Sequence, residues 1–273
     1  MNKLLSRICK PLLLTACGLL PLSNADAASV VDTELILLVD ISTSVSPDEF
    51  TIQQSAYANA FRNSAVLDAI TTGPVGSIAA TLVYWAGPTS QSQTVGWTEI
   101  SNSTSANAFA DLIDAATRPF GGLTAAGSAI EFATPLFGIE TGGADNMFES
   151  ARQVINLTVD GNTNSGSDTG TASNTALAAG VDAINLFAIE IGPGADIVTS
   201  FNQSATGGTN ADGTPAFVTT AFGFNDPNYD TLLQNKIIRE VSFTSTVIPA
   251  PSAALAGLTG MMLIGFRRRR RTA

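Results

Sequence analysis

The sequence predicts an α/β fold, with a doubly wound, mainly parallel central sheet flanked by helices. Three observations predict it. Short apolar runs alternate with amphipathic stretches from about residue 28 to residue 246. Several of those runs are continuous rather than alternating, as expected of strands covered on both faces. The chain, at 273 residues with 45% hydrophobic and 13% charged residues, can also bury a sizeable core.

In chain order, strands are predicted over 34–40, 77–86, 93–100, Gln153–Val159, Ala183–Ile189 and 216–221. Helices are predicted between them, over 47–63, 105–118, 125–133, 174–183 and 227–241. The first helix opens with Ser46-Pro47-Asp48-Glu49, a capping box with proline at the first helical position. Asp48 and Glu49 are therefore read as cap and dipole residues. In the second helix Phe109, Leu112, Ile113 and Ala116 recur at i, i+3, i+4 and i+7, which predicts one buried stripe. Residues 161–173, rich in Gly, Asn, Ser and Thr, carry no apolar period and read as a loop. Its place after a predicted central strand makes that loop a candidate wall for a site, since ligands of such sheets bind at the carboxyl ends of the strands.

Charge and residue types exclude several function classes. Of the 13 basic residues, Lys3, Arg7 and Lys10 sit at one end and Arg267, Arg268, Arg269, Arg270 and Arg271 at the other, leaving five between. Setting Asp26 aside, 22 of the 23 acids face those five, a net charge of −17 that argues against nucleic acid as a partner. Histidine is absent and the two cysteines, Cys9 and Cys17, lie near the N-terminus. Ser-His-Asp, Cys-His and His-metal chemistry are thus excluded from the central region, and so is a disulfide within it.

The ends read as targeting segments. Residues 1–27 form a secretory signal peptide: three positive charges, an apolar run over 11–22, and Ala25-Asp26-Ala27 as the cleavage site for signal peptidase. Leu14-Thr15-Ala16-Cys17 also matches a lipobox, which would leave Cys17 lipidated. At the other end, residues 247–273 hold Pro249-Ala250-Pro251, an apolar segment over 253–266 and the arginine block. That apolar segment is shorter than the roughly 20 residues of a comfortable membrane helix, though bilayer thinning accommodates less. The order of proline motif, short apolar helix and arginines resembles the PEP-CTERM sorting signal of Gram-negative bacteria, with Ala250 in place of the usual glutamate. The resemblance implies transient membrane anchoring, removal of the tail by an exosortase and delivery to the cell surface or extracellular matrix. A plain C-terminal membrane anchor is the alternative.

The chemistry-bearing residues lie where three predicted elements meet. Asp40, Ser42 and Ser44 end the first strand with oxygens at i, i+2 and i+4. In an extended strand alternate side chains are about 6.6 Å apart, whereas ligands of one Mg²⁺ each lie within about 2.1 Å of it. The chain must therefore curl after Asp40. Thr124 follows Gly121-Gly122-Leu123, and Asp160-Gly161 ends another apolar strand. Taken singly, Thr124 reads as a helix N-cap and Asp160 as a turn residue.

Taken together, the ordered set Asp40-x-Ser42-x-Ser44, Thr124 and Asp160-Gly161 resembles the metal-ion-dependent adhesion site of von Willebrand factor A domains. The likeness runs from about Thr33 to Phe243, through Trp85 and the Gly121-Gly122 loop, and is similar to an uncharacterised bacterial family allied to that superfamily. It implies a Rossmann-like fold in which Ser42 and Ser44 ligate through hydroxyls and Thr124 ligates directly or through water. Asp40 and Asp160 would bind through waters or fix their neighbours. Thr43 departs from a common glycine, and Leu123 adds a residue beside Thr124. A small, hard oxygen site suits Mg²⁺ or Mn²⁺, and two carboxylates leave room for a third from a partner.

The expectation is a noncatalytic, metal-dependent binding or adhesion module for a protein or matrix ligand bearing a carboxylate. Two alternatives stand beside it: a metal-dependent hydrolase, and a structural surface protein whose metal only stabilises the fold. The hydrolase lacks support in the motifs, since Ser42 stands where an aspartyl phosphatase needs a second carboxylate, and neither a GxSxG elbow nor a P-loop is present.

Overall fold

A computed structural model describes residues 27–190, 197–202 and 205–243. The predicted signal peptide and sorting signal, apart from Ala27, lie outside the described residues. Among those described, no helix is long and apolar enough to cross a membrane.

A mostly parallel sheet forms the centre. Strands β2 (Thr33–Asp40), β3 (Ile78–Trp85), β6 (Gln153–Val159) and β7 (Ala183–Ile189) are buried along their whole lengths. Order across the sheet is β3-β2-β6-β7, all parallel, with β4 (Gln91–Ile100) antiparallel on the β3 edge. At the far edge β7 pairs antiparallel with β8 (Gly207–Gly208) and parallel with β9 (Val218–Ala221). A small separate pair joins β1 (Ser29–Val31) to β5 (Phe148–Ser150).

Alternation along β2 assigns the two helical layers. Leu35, Leu37 and Val39 pack with Tyr57 and Phe61 of α1 (Pro47–Arg62), Val66 and Ile70 of α2 (Ser64–Thr71), Phe109 and Ile113 of α3 (Ser103–Ala115), and Leu233 and Ile237 of α7 (Tyr229–Val241). Ile36 and Leu38 pack on the other side. They meet α4 (Ala126–Ala133), α5 (Thr169–Ala179), α6 (Ile197–Asn202) and Phe137 in a 3₁₀ segment, Thr134–Thr141.

Local chemistry explains most boundaries. The Ser46–Glu49 capping box forms as expected, each partner bonding the other's backbone N–H. The helix predicted over 47–63 stops at Asn63, which turns extended and caps α2 through its side chain. The helix predicted over 105–118 is displaced: Asn102 caps it earlier, and Ala116 has already left it. Its buried stripe is Ala106, Phe109, Ala110 and Ile113, where Phe109 meets Phe61 edge to face, so Leu112 falls to the margin and is 48% exposed. The helix predicted over 174–183 runs instead from Thr169, capped by Asp168, to Gly180, whose φ of 121° ends it. The predicted loop therefore gives way to helix at Thr169. The chain entering α5 lies close on α4: a Cβ on Gly127 would lie 2.2 Å from the Ser167 carbonyl oxygen, two residues before the helix begins.

Chain order places the carboxyl ends of interest side by side. From β2 the chain crosses through α1 and α2 to β3 on one side, while β6 pairs with β2 on the other. This reversal of direction is where doubly wound sheets open a crevice. Asp40 ends β2 there, and Asp160 directly follows β6.

Candidate metal centre

After Asp40 the chain curls as the spacing requires. The Ser42 N–H donates to Asp40 Oδ1 at 2.7 Å, and the Val45 N–H closes on the Ser42 carbonyl at 3.0 Å. The curl brings the Ser42 and Ser44 hydroxyls to 2.9 Å of each other, and Ser44 Oγ donates to Asp160 Oδ1 at 2.9 Å. Asp40, Ser42, Ser44 and Asp160 thus form one hydrogen-bonded chain. Asp40, Ser42 and Asp160 are buried, whereas Ser44 is exposed and opens the group to solvent.

Thr124 is placed differently. It is buried, its N–H donates to Asn164 Oδ1 at 3.0 Å, and its carbonyl accepts from the N–H groups of Asn164 and Ser165. The reading of Thr124 as an N-cap fails, because Ala125 is the cap of α4 and no side chain bonds there. The loop after β6 thus packs on the Thr124 segment through Asn164 and Ser165, and the Thr124 hydroxyl is not a member of the Asp40–Ser42–Ser44–Asp160 chain.

Two residues that sequence reasoning missed hold the curl, and a third holds the neighbouring Thr124 segment. Arg118 donates from Nη1 to the Val45 carbonyl and from Nη2 to the carbonyls of Ile41 and Ser42, each at 2.8 Å, with its guanidinium over the Phe50 ring. Gln53 Nε2 donates to the Asp40 carbonyl at 2.9 Å. Asn164 fastens Thr124 as described. A lone arginine, glutamine or asparagine carries no spacing that would reveal such a role. Thr43, the departure from glycine, has its own use: the Gly122 N–H donates to its hydroxyl at 3.0 Å, and its N–H donates to the Gly122 carbonyl at 2.9 Å. Gly122 itself has φ 145°, a conformation that favours glycine.

Electrostatically the site is unfinished. Asp40 Oδ2 and Asp160 Oδ2 are both buried with no hydrogen-bond partner. Burial, then the Asp160 charge, pushes the Asp40 carboxyl well above the usual range, and burial likewise raises Asp160. Two desolvated carboxyls facing each other with free oxygens lack a positive charge. A small divalent ion fits that donor set of two carboxyls and two hydroxyls. Among the described residues no three His, Cys, Asp or Glu side chains cluster in a metal-holding group, so hydroxyl oxygens must complete any coordination here.

The strand order and the two helical layers are those of a Rossmann-like α/β fold of the von Willebrand factor A type. The chain belongs to the family described as protein of unknown function DUF1194, whose pattern matches residues 30–245. No curated protein matches it. Among solved structures it is similar to proximal thread matrix protein 1 of the mussel byssus with a zinc-occupied MIDAS motif, at 17% identity and TM-score 0.53, over 79% of this chain and 48% of that one. It is also similar to the pilus adhesin SpaC from Lactobacillus rhamnosus GG, at 13% identity and TM-score 0.51, over 78% and 31%. A third similarity is to the PilB minor pilin from Streptococcus sanguinis, at 12% identity and TM-score 0.51, over 80% and 64%. The chain spans about half the mussel protein and under a third of the adhesin, and at these identities the likeness is one of fold.

Proposed function

We propose that this chain is an exported, noncatalytic binding module that attaches through a divalent metal to a protein or matrix ligand bearing a carboxylate. One observation carries the reading: the paired, buried and unpartnered Oδ2 atoms of Asp40 and Asp160 beside the Ser42 and Ser44 hydroxyls. Asp40, Ser42, Ser44 and Asp160 would hold Mg²⁺ or Mn²⁺, with Thr124 joining from the neighbouring loop. Bound there, the ion would supply a Lewis acid for an anionic oxygen of the partner. Ser44 is exposed, so in this reading the partner would approach from its side.

Export and surface delivery rest on the two ends of the sequence, with signal peptidase and an exosortase as processing enzymes. The thread matrix protein, adhesin and pilin among the similar structures support a location outside the cell. Residues 28–246 would be the mature binding domain. A matrix displaying carboxylates tests the proposal: the chain should be retained in millimolar Mg²⁺ or Mn²⁺, released by chelation, and not retained as Asp40→Ala. Equal retention of Asp40→Ala would overturn it.

A further inference from the structure

Away from the crevice, on the α7 side of the sheet, a lysine, a glutamate and an asparagine meet in the apolar core. Lys236 and Glu240 lie one turn apart on α7 and are 1% and 0% exposed. Lys236 Nζ donates to Glu240 Oε1. The other oxygen, Oε2, accepts from Asn156 Nδ2 of β6 at 2.7 Å. A single carboxyl therefore holds the Lys236 amine on one oxygen and the Asn156 amide on the other, with the Asn185 amide a further partner. The amide oxygen, Asn156 Oδ1, accepts from the Tyr57 hydroxyl at 2.9 Å. Val154, Phe187, Leu233 and Ile237 belong to the same buried core.

This arrangement is poorly suited to a plain salt bridge. An ammonium has three donors, and among the described residues Lys236 finds one acceptor. Burial lowers the lysine's pKa and raises the glutamate's, moving both toward their neutral forms. A neutral amine is a nucleophile, and here it is held beside an amide whose oxygen already has a donor and whose nitrogen touches a carboxyl able to deliver a proton.

We infer that Lys236 and Asn156 form an intramolecular isopeptide bond, with Glu240 as proton shuttle and Tyr57 as donor to the oxyanion. The Lys236 Nζ lone pair attacks Asn156 Cγ, and negative charge develops on Oδ1 against the Tyr57 hydroxyl. Glu240 takes a proton from Nζ and passes one to Nδ2. The Cγ–Nδ2 bond then breaks, ammonia leaves and a secondary amide remains. Atoms balance with no oxidant or co-reactant. Asn185, opposite Asn156 on β7, also hydrogen-bonds Glu240, but it is the poorer electrophile: its side chain is held in a reciprocal pair with Asn210, at 2.7 and 3.2 Å, and its Oδ1 accepts from the Phe217 N–H and not from a tyrosine hydroxyl. The product would tie β6, which leads into the crevice, to α7.

Peptide mass spectrometry of the full chain tests this directly. Between Arg152 and Lys236 the sequence has no lysine or arginine, and Arg239 follows closely. With the bond formed, trypsin fails to cut after Lys236. A second, aspartate-specific digestion then releases residues 153–159 joined to 230–239, lighter by one ammonia than the two peptides together. Glu240→Gln should give the linear peptides 153–159 and 230–236, with trypsin cutting after Lys236. Tryptic cleavage after Lys236 with unmodified masses, both in fresh protein and after prolonged incubation, would overturn the bond. The same branched peptide from Glu240→Gln would overturn the shuttle. The wild-type spectrum decides the bond whether or not the variant folds, and it does not depend on metal at the crevice.

Discussion

Strand β2 carries a fully buried carboxyl near each end, and their surroundings differ. Glu34, toward the amino end, receives Asn146 Nδ2 on one oxygen and Ser150 Oγ on the other, at 2.5 and 2.9 Å. Asp40, at the carboxyl end, receives the Ser42 N–H on Oδ1, leaves Oδ2 unpartnered and faces a second carboxyl, Asp160. Burial alone does not distinguish a site from a structural contact. The difference is saturation: donors from the β5 region complete Glu34, whereas Asp40 Oδ2 and Asp160 Oδ2 have no donor, and the proposed cation is what would complete them.

The largest effect expected is the pH response of the amino end. Burial raises the Glu34 pKa to about 7, from 4.5 when unfolded, so the folded chain binds the extra proton between those values. Its stabilising contribution is complete below about pH 4.5 and is lost as pH rises through about 7. Relative to Glu34→Gln, the wild type should lose about 3 kcal/mol over that range in denaturant titrations. A constant difference would mean that Glu34 is not held as described.

At the other end, removing a charge should help. Asp160→Asn takes away one of two facing carboxyls, and the metal-free protein at neutral pH should gain about 1 kcal/mol, while any response to metal disappears. A destabilised metal-free variant would show Asp160 to be structural, like Glu34. A smaller effect is expected at Thr43, whose hydroxyl joins the curl to the glycine loop. Thr43→Ala should cost about 0.5 kcal/mol for one exposed hydrogen bond, and a loss several times larger would make that hydroxyl central to the crevice.

What could be read from sequence follows the range of the interactions involved. Gln153–Val159 and Ala183–Ile189 were legible to the residue because each is a short run dominated by Val, Ile, Leu and Phe and covered on both faces. Asp40, Ser42 and Ser44 were legible because one local curl brings them together. The start of α5 was hidden, since Thr169, Ala172 and Ser173 are small residues buried by close packing and show no apolar period. Leu112 misled because its spacing fits a stripe that the partner helix does not cover. Arg118 and Gln53, like the meeting of Lys236, Glu240 and Asn156, depend on elements distant in the chain.

The central claim is that the carboxyl end of β2 is completed by a divalent ion. Thermal unfolding of the purified chain with and without Mg²⁺ or Mn²⁺, beside a Ser42→Ala/Ser44→Ala variant, tests it most directly. At a hundredfold excess over Kd the melting temperature should rise by about 5–10 °C, and the variant should not respond. An unchanged melting temperature in the wild type, or an equal rise in the variant, would contradict the account.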